Sequence, residues 1–299
     1  MDVNSIEDIK KNPDMISLIN KYNITDETLI KNSKVISSFL KDYVFCKSNE
    51  PLVNCKQLMK GVQQKLIYKN KIFYITSKKC NHWLYENKFY KFDENILYCD
   101  YDKKSIRITL GDYVKTINET PKNLTVLNFL EKFKKTIDTS DWKGFYLHGA
   151  PGVGKTYLLK LVANTMAGLD KKVIFVSVNK LIKIIKDTFN NTFANERNNF
   201  FDKCCDVDVL ILDDIGGEVV SDWSRDELLF GILNYRMENK LTTHFSSNFS
   251  IKELEDNYLN QKLKTSDQKS FDKIKTLRFT ERIKGSAYAV NIKGSNKRY

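Results

Sequence analysis

The chain has 299 residues, 41% of them hydrophobic and 29% charged, with 49 Lys and Arg against 37 Asp and Glu, a formal net charge of +12. That length suffices for one large domain or two modest ones with proper cores, and the composition reads as soluble and globular. No apolar stretch approaches the ~18 residues of a membrane span, and Met1-Asp2-Val3-Asn4 shows no basic-then-apolar signal. The expected compartment is therefore the cytoplasm. The positive excess suits a polyanionic partner, but it is spread along both halves without a basic tail, so charge alone does not decide for nucleic acid. Six cysteines in a cytoplasmic chain suggest thiols or metal ligands rather than disulfides.

In chain order, residues 5–44 read as short helices. Asn12-Pro13 sets a cap residue before a first-turn proline, Thr25 caps a second helix, and Val35, Ile36, Phe39 and Leu40 mark a third. Lys65–Tyr68 and Ile72–Ile75, with Asn70 at the turn, predict a β-hairpin. Phe89–Tyr101 and Ser105–Leu110 add strand-like, aromatic-rich segments, so residues 1–111 read as a small α+β domain. Residues 112–123, polar and containing Pro121, read as a linker, and residues 124–299 as a second domain. There, Leu127, Leu130, Phe133 and Ile137 lie on one helical face. Strands and helices then alternate, the pattern of a three-layer parallel sheet: strand 173–176, helices 179–189 and 196–205, strand 209–214. The helix 196–205 makes Cys204 and Cys205 buried thiols rather than ligands. Ser224-Arg225-Asp226-Glu227 reads as a capping box opening a helix to Asn239, followed by strand 242–248. Ser250 with Glu253 is a second capping box; a helix over 268–284 and a strand over 286–292 close the chain.

Within that pattern, Gly149-Ala150-Pro151-Gly152-Val153-Gly154-Lys155-Thr156 fits G-x-x-x-x-G-K-[ST] without mismatch, between an apolar strand and a helix beginning at Tyr157. The glycines allow successive N–H groups to turn toward phosphate oxygens, and the helix N-terminus adds partial positive charge. Lys155 would reach the β- and γ-phosphates of ATP and the Thr156 hydroxyl would ligate Mg²⁺. Val209-Leu210-Ile211-Leu212-Asp213-Asp214 is an apolar strand ending in two carboxylates. On a strand next to the phosphate-loop strand, Asp213 would hold the metal and Asp214 would activate the attacking water. Asn248, at a strand tip beside them, is either a water-holding amide or an ordinary turn residue.

These blocks, together with Trp223-Ser224-Arg225-Asp226-Glu227, Phe245–Ser250 and Thr280-Glu281-Arg282-Ile283, closely resemble the AAA+ replicative-helicase loaders of bacteria, the DnaI type related to DnaC. The resemblance implies an AAA+ P-loop fold and a slow, partner-stimulated ATPase. It also implies that the protein loads a hexameric replicative DNA helicase onto single-stranded DNA and self-assembles through its AAA+ interfaces. It makes Asn248 the sensor-1 residue, Arg282 an arginine finger acting on a neighbouring subunit, and Arg298 the sensor-2 arginine, with Lys297 as substitute. Asp214 stands where AAA+ proteins usually carry glutamate, which suits a slow switch. The N-terminal half resembles the family's helicase-binding domain through Cys55-Lys56-Gln57-Leu58, Gly61, Lys65-Leu66 and Cys80. That domain typically holds one structural Zn²⁺, yet Asn49 and Gln63 stand where two ligands are expected. Cys46, Cys55 and Cys80 remain, and His82 or Cys99 would complete a tetrahedron. The competing functions are the helper ATPase of a transposase and, with no role for residues 1–110, a small-molecule kinase.

Overall fold

The computed structural model describes residues 6–46, 50–117, 123–190, 194–218, 221, 223–260 and 266–296. They fall into two compact units divided between Tyr90 and Lys91.

Unit 1 begins with four short helices, α1 (Ile6–Lys11), α2 (Pro13–Tyr22), α3 (Asp26–Lys31) and α4 (Ser33–Lys41). Asn12 caps α2 as expected: its Oδ1 accepts from the N–H of Asp14 at 3.0 Å and of Met15 at 3.2 Å. The hairpin β1 (Val62–Lys69) and β2 (Ile72–Lys79) turns at Asn70 and Lys71, both with positive φ. This is the two-residue geometry whose twist matches antiparallel strands. Asn32 fixes the hairpin to the helices, accepting from Phe73 N–H at 3.2 Å and donating to the carbonyls of Thr28 and Lys71. Beneath lie Met15, Leu29, Ile36, Phe39, Leu66 and Phe73, all buried. A short helix α5 (Asn81–Glu86) follows.

Unit 2 is built on one six-stranded, all-parallel sheet in the order β3-β5-β6-β7-β4-β8. In chain order its elements are α6 (Tyr90–Asn95), β3 (Ile96–Cys99), α7 (Leu110–Ile117), α8 (Leu124–Asp138), β4 (Gly144–His148), α9 (Lys155–Gly168), β5 (Val173–Ser177), α10 (Val178–Asn190) and α11 (Ala194–Asp206). Then come β6 (Val209–Asp213), a π-helical turn Trp223–Leu229 running into α12 (Phe230–Glu238), β7 (Thr242–Ser247), α13 (Ile251–Asn260), α14 (Ser266–Ser286) and β8 (Ala287–Asn291). Strands β4, β5 and β6 are buried, largely apolar runs, as a parallel sheet covered on both faces requires, whereas β7 is buried but mostly polar.

Three sequence expectations need correction. First, residues 91–111 do not belong with the N-terminal domain: β3 pairs in parallel with β5, Tyr98 opposite Ile174. Segment 105–110 is not a strand but is held on α9, where the buried Asn164 carboxamide donates to Ile106 O at 3.0 Å and Ile108 O at 2.9 Å. The first half of the expected 112–123 linker is α7; residues 118–122 lie outside the described residues. Second, β6 is not adjacent to the phosphate-loop strand β4, because β7 lies between them. Third, the box expected at Ser224–Glu227 sits one turn earlier. Ser221 Oγ accepts from Ser224 N–H and Ser224 Oγ from Ser221 N–H, a reciprocal pair. The box at Ser250 and Glu253 forms as read.

Arg236 ties this unit together. Although fully buried, its guanidinium faces neutral acceptors only among the partners recorded for it. It donates to Cys204 O (3.0 Å), Cys205 O (3.0 Å) and Val207 O (2.7 Å) at the end of α11, and to Thr242 O (2.6 Å) and Thr243 Oγ1 (2.9 Å) on β7. A cation there suits a helix C-terminus, and burial lowers it only to about 10, so it stays charged at neutral pH. Arg236→Met strands these acceptors and should lower unfolding stability by about 3 kcal/mol or more. Arg236→Lys, with three donors, should recover only part of it. Urea denaturation of the two variants checks both.

Candidate nucleotide site

The site lies at the C-terminal edge of the sheet, where β4 gives way to the glycine loop and α9. Gly149, Gly152 and Gly154 all have positive φ, and at Gly149 a Cβ would sit 2.3 Å from Ile292 O. The loop therefore requires glycine there both for conformation and for space. Lys155, the first residue of α9, is folded back over the loop. Its Nζ donates to Gly149 O at 2.8 Å, Ala150 O at 2.9 Å and Asn248 Oδ1 at 2.9 Å. Pro151, Gly152, Val153, Gly154, Lys155, Thr156 and Tyr157 line a cavity of about 740 Å³ together with Asp213, Asp214, Ser246 and Asn248.

The expected acidic pair is in place. Thr156 Oγ1 donates to Asp213 Oδ1 at 3.0 Å, and Ser246 Oγ makes a short bond to the same oxygen. Burial raises the Asp213 carboxyl, and the two hydroxyls work against that rise. Asp214 follows the end of β6 in the left-handed region, φ 56°. Its N–H donates to Ser246 Oγ at 2.9 Å and its Oδ1 accepts from Asn248 Nδ2 at 3.4 Å. A Cβ at Gly217 would meet Asp214 Oδ2 at 2.7 Å, so that glycine keeps the carboxylate's space open. Asn248 thus stands between Lys155 and Asp214.

Glu218, in the turn after Asp214, is engaged within the fold rather than open to a reacting water. It is buried, with Oε2 accepting from Gly216 N–H at 2.7 Å and Oε1 held by a short bond from the Tyr258 hydroxyl of α13. Sequence reading gave no role to Ser246 or Tyr113. Ser246 faces the site because β7, unexpectedly, is next to β6. Tyr113 lay in the supposed linker but packs edge-on against Tyr157 with ring centroids 5.8 Å apart. The polar strand tip Ser246-Ser247-Asn248, directly after Phe245, was the available signal for Ser246.

Arg282 lies on α14, where its Nε donates to Asn234 Oδ1 at 2.8 Å and its guanidinium covers the Phe230 ring at 5.4 Å. Glu281 is instead paired with Lys284 at 2.9 Å. Arg298 and Lys297 lie outside the described residues.

In unit 1, Cys46, Cys55, Cys80 and His82 converge, all buried. Cys46 Sγ is 3.0 Å from His82 Nδ1, Cys55 Sγ 3.7 Å from Cys80 Sγ, and Cys80 Sγ 4.0 Å from His82 Nδ1. A zinc tetrahedron with Zn–S of about 2.3 Å and Zn–N of about 2.0 Å has edges of about 3.5 to 3.8 Å; the ligand atoms of Cys46, Cys80 and His82 lie within 4.8 Å of one another, and Cys55 stands outside that group of three. Backbone N–H groups of Asn81 and Gly61 point at Cys46 Sγ and Cys55 Sγ. Glu50 Oε2 lies 3.5 Å from His82 Nε2, the outer carboxylate that metal-bound histidines commonly have. Cys99, the alternative fourth ligand, belongs to β3 of unit 2, where its thiol donates to Tyr101 O.

A phosphate loop, a carboxylate pair and a strand-tip amide on one parallel sheet define a P-loop ATPase domain of the AAA+ fold. The family model for the bacterial DnaA ATPase domain matches residues 119–270, and the chain belongs to that family. The replicative helicase loader DnaI of Bacillus subtilis (strain 168) is 29% identical over 263 residues, 87% of this chain and 79% of that one. The replicative helicase loader DnaC of Escherichia coli (strain K12) is 27% identical over 130 residues, 43% of this chain and 52% of that one. A crystal structure of DnaI, 30% identical, covers 67% of this chain and 98% of its own, with a TM-score of 0.56.

The Tyr258–Glu218 bond can be tested by pH. Burial raises the Glu218 carboxyl above its ordinary value, whereas the Tyr258 hydroxyl stabilises the ionised form. Tyr258→Phe should cost about 1–3 kcal/mol at pH 7. The cost should shrink as pH falls toward the raised pKa and Glu218 takes up a proton. Urea midpoints of both proteins at pH 7 and pH 5 check the sign.

Proposed function

We propose that the protein is an ATP-dependent loader that delivers a hexameric replicative DNA helicase onto single-stranded DNA in the cytoplasm. The observation that carries this reading is the extent of the similarity to DnaI. At 87% of the chain it exceeds what the ATPase unit alone holds, and so reaches into the unit that bears the cysteine cluster. A transposase helper or a small-molecule kinase gives that unit no part. Among the described residues, no helix is long and apolar enough to cross a membrane.

In this reading the glycine loop and Lys155 bind the ATP phosphates. Thr156 and Asp213 would hold Mg²⁺, which would shield phosphate charge, and Asp214 would orient the attacking water with Asn248 beside it. Arg282 would act on the nucleotide of a neighbouring copy. Its reach over Phe230, rather than toward a carboxylate of its own helix, leaves the guanidinium's other donors for such a role. Unit 1 would meet the helicase. Phe45, Val53, Leu58 and Met59 are exposed next in sequence to the cysteine ligands, Leu58 at 81%. Apolar groups exposed beside the buried cysteine cluster suit a protein partner. The cluster itself would hold one structural Zn²⁺. DNA contact is assigned to α10, which buries Val178, Leu181, Ile182 and Ile185 and exposes Lys180, Lys183 and Lys186.

The central test is co-purification of the full-length protein with its replicative helicase. Leu58→Glu with Met59→Glu should lower that affinity by about tenfold or more, and failure of the unaltered protein to bind would overturn the reading. Lys155→Ala should lose ATP binding. Asp214→Asn should bind ATP but lose about 100-fold or more in turnover, measured as phosphate release. Arg282→Ala should bind ATP yet lose stimulation by helicase or DNA, and should regain part of it when mixed with Lys155→Ala. Elemental analysis should find one zinc per chain, lost with Cys80→Ser.

A further inference from the structure

The hairpin of unit 1 has two faces, and the core uses one of them. Leu66 and Phe73 are buried among the helices, with Tyr68 packed beside them. Because side chains alternate along a strand, the other face carries Lys65, Ile67 and Lys69 from β1 and Ile72, Tyr74 and Lys78 from β2. All six are exposed. The register sets Ile67 opposite Tyr74 and Lys69 opposite Ile72. Tyr74 is 50% exposed, and the two isoleucines nearly as much. The solvent face of an antiparallel ribbon is ordinarily polar, so three neighbouring apolar side chains on it mark a contact surface.

The charge of this surface has one sign. Between Glu50 and Glu86 the chain holds seven lysines and no acidic residue, and the hairpin is the middle of that stretch. The two flanking carboxylates are engaged elsewhere: Glu50 faces His82 Nε2 at 3.5 Å, and Glu86 accepts from Leu52 N–H at 2.8 Å. On the helices, Lys10, Lys11 and Lys31 are paired with Asp26, Asp8 and Glu27. Among the described residues, no such pair involves Lys65, Lys69 or Lys78.

Three kinds of anionic partner have the right sign, and the arrangement favours one. Lysine is depleted at protein–protein contacts, yet it fills half of these six positions. A face that lies on a membrane separates its apolar side chains from its basic ones. Here they alternate, as in Lys65, Ile67 and Lys69 along β1. A single nucleic-acid strand also alternates, flat bases with phosphates, and is held by an exposed ring set between cations. Lys65 and Lys69 are about 13 Å apart along the strand, with the Ile67–Tyr74 pair between them. A duplex keeps its base faces stacked inside and offers that ring nothing.

We propose that this face binds a single-stranded nucleic acid, a base stacking on Tyr74 beside Ile67 and the adjoining phosphates meeting Lys65, Lys69 and Lys78. It adds to the contact given to α10, and it does not rest on the loader reading, because the strand is bound without a helicase. Leu58 and Met59, given to the helicase, lie at the end of the ribbon away from its turn, where Met59 bridges Val62.

The probe is a short oligothymidylate carrying one 5-iodouracil, photo-crosslinked to the full-length protein and located by mass spectrometry of the digested complex. A cross-link at Tyr74 is expected. Affinities are read by fluorescence anisotropy in full-length protein carrying Lys180→Gln, Lys183→Gln and Lys186→Gln, which removes the α10 contact. There Tyr74→Ser should weaken binding about tenfold, whereas Tyr74→Trp, which keeps a stacking ring, should retain it. Lys65→Gln with Lys69→Gln and Lys78→Gln should flatten the slope of log affinity against log salt by about 2. ATP turnover without DNA should be unchanged in all of these hairpin variants. An oligouridylate that competes more strongly than the oligothymidylate would support the site and name RNA as its strand. No cross-link on the hairpin, unchanged affinity in Tyr74→Ser, or equal binding of a duplex would each overturn the proposal. Displacement of the oligonucleotide by phosphatidylglycerol vesicles or polyglutamate, as effective at equal charge as unlabelled strand, would overturn it in favour of a membrane or an acidic protein.

Discussion

A carboxylate at the end of a strand buried on both faces has to be answered by donors, and in this protein that demand organises the nucleotide edge. Asp213 ends β6 in the core, and Thr156 from α9 and Ser246 from β7 both give their hydroxyls to one of its oxygens. The hydroxyl that a phosphate-loop sequence reserves for a metal is therefore also what ties the first helix after the loop to the acidic strand. Ser246 extends the tie by accepting the next residue's N–H. Removing any of the three leaves a buried polar group short of a partner, so the chemistry of the site and the stability of the sheet edge are one arrangement.

The sheet order makes that arrangement necessary. With β7 inserted between β4 and β6, phosphate loop and acid pair are separated by a strand and are joined across its tip. The tip residues Ser246, Ser247 and Asn248 each take a different task. Ser247 Oγ donates to Ile215 O at 2.7 Å, closing the turn after the acids, while Ser246 holds Asp213 and Asn248 spans to Lys155. Farther out, Glu218 and Tyr258 bind the same turn to α13, and Arg236 binds the far end of β7 to α11.

Much of this was legible in the sequence, and the failures share a cause. The loop, the apolar run into Asp213-Asp214 and the cap at Asn12 are local patterns whose physics acts over a few residues, and they were read as they stand. The partner of a strand is not local. Ile96-Leu97-Tyr98-Cys99 looks like a strand in either unit, and nothing in its pattern says that it adds to the edge beside β5. The helical spacing of Leu110, Tyr113, Val114 and Ile117 in α7 straddles the boundary read at 111–112, so dividing the chain there hid the helix and Tyr113 was lost with it. The shift of the capping box to Ser221 has the same character, since two serines three residues apart compete with Ser224 and Glu227 and the π-helical turn decides. The cysteines were readable as composition, whereas the contact of His82 with Cys46 and Cys80 needed the fold.

The position of Lys155 has a thermodynamic consequence. Its ammonium is already satisfied by two loop carbonyls and by Asn248, so phosphate binding at this lysine is an exchange of acceptors rather than the neutralisation of a bare charge. Only the surplus of a phosphate oxygen over those carbonyls counts toward affinity. On the proposed function, the same exchange would release one acceptor site of Asn248 Oδ1 while its Nδ2 remains beside Asp214. Under that proposal, occupancy and readiness to hydrolyse would be linked through one amide side chain, a local interlock.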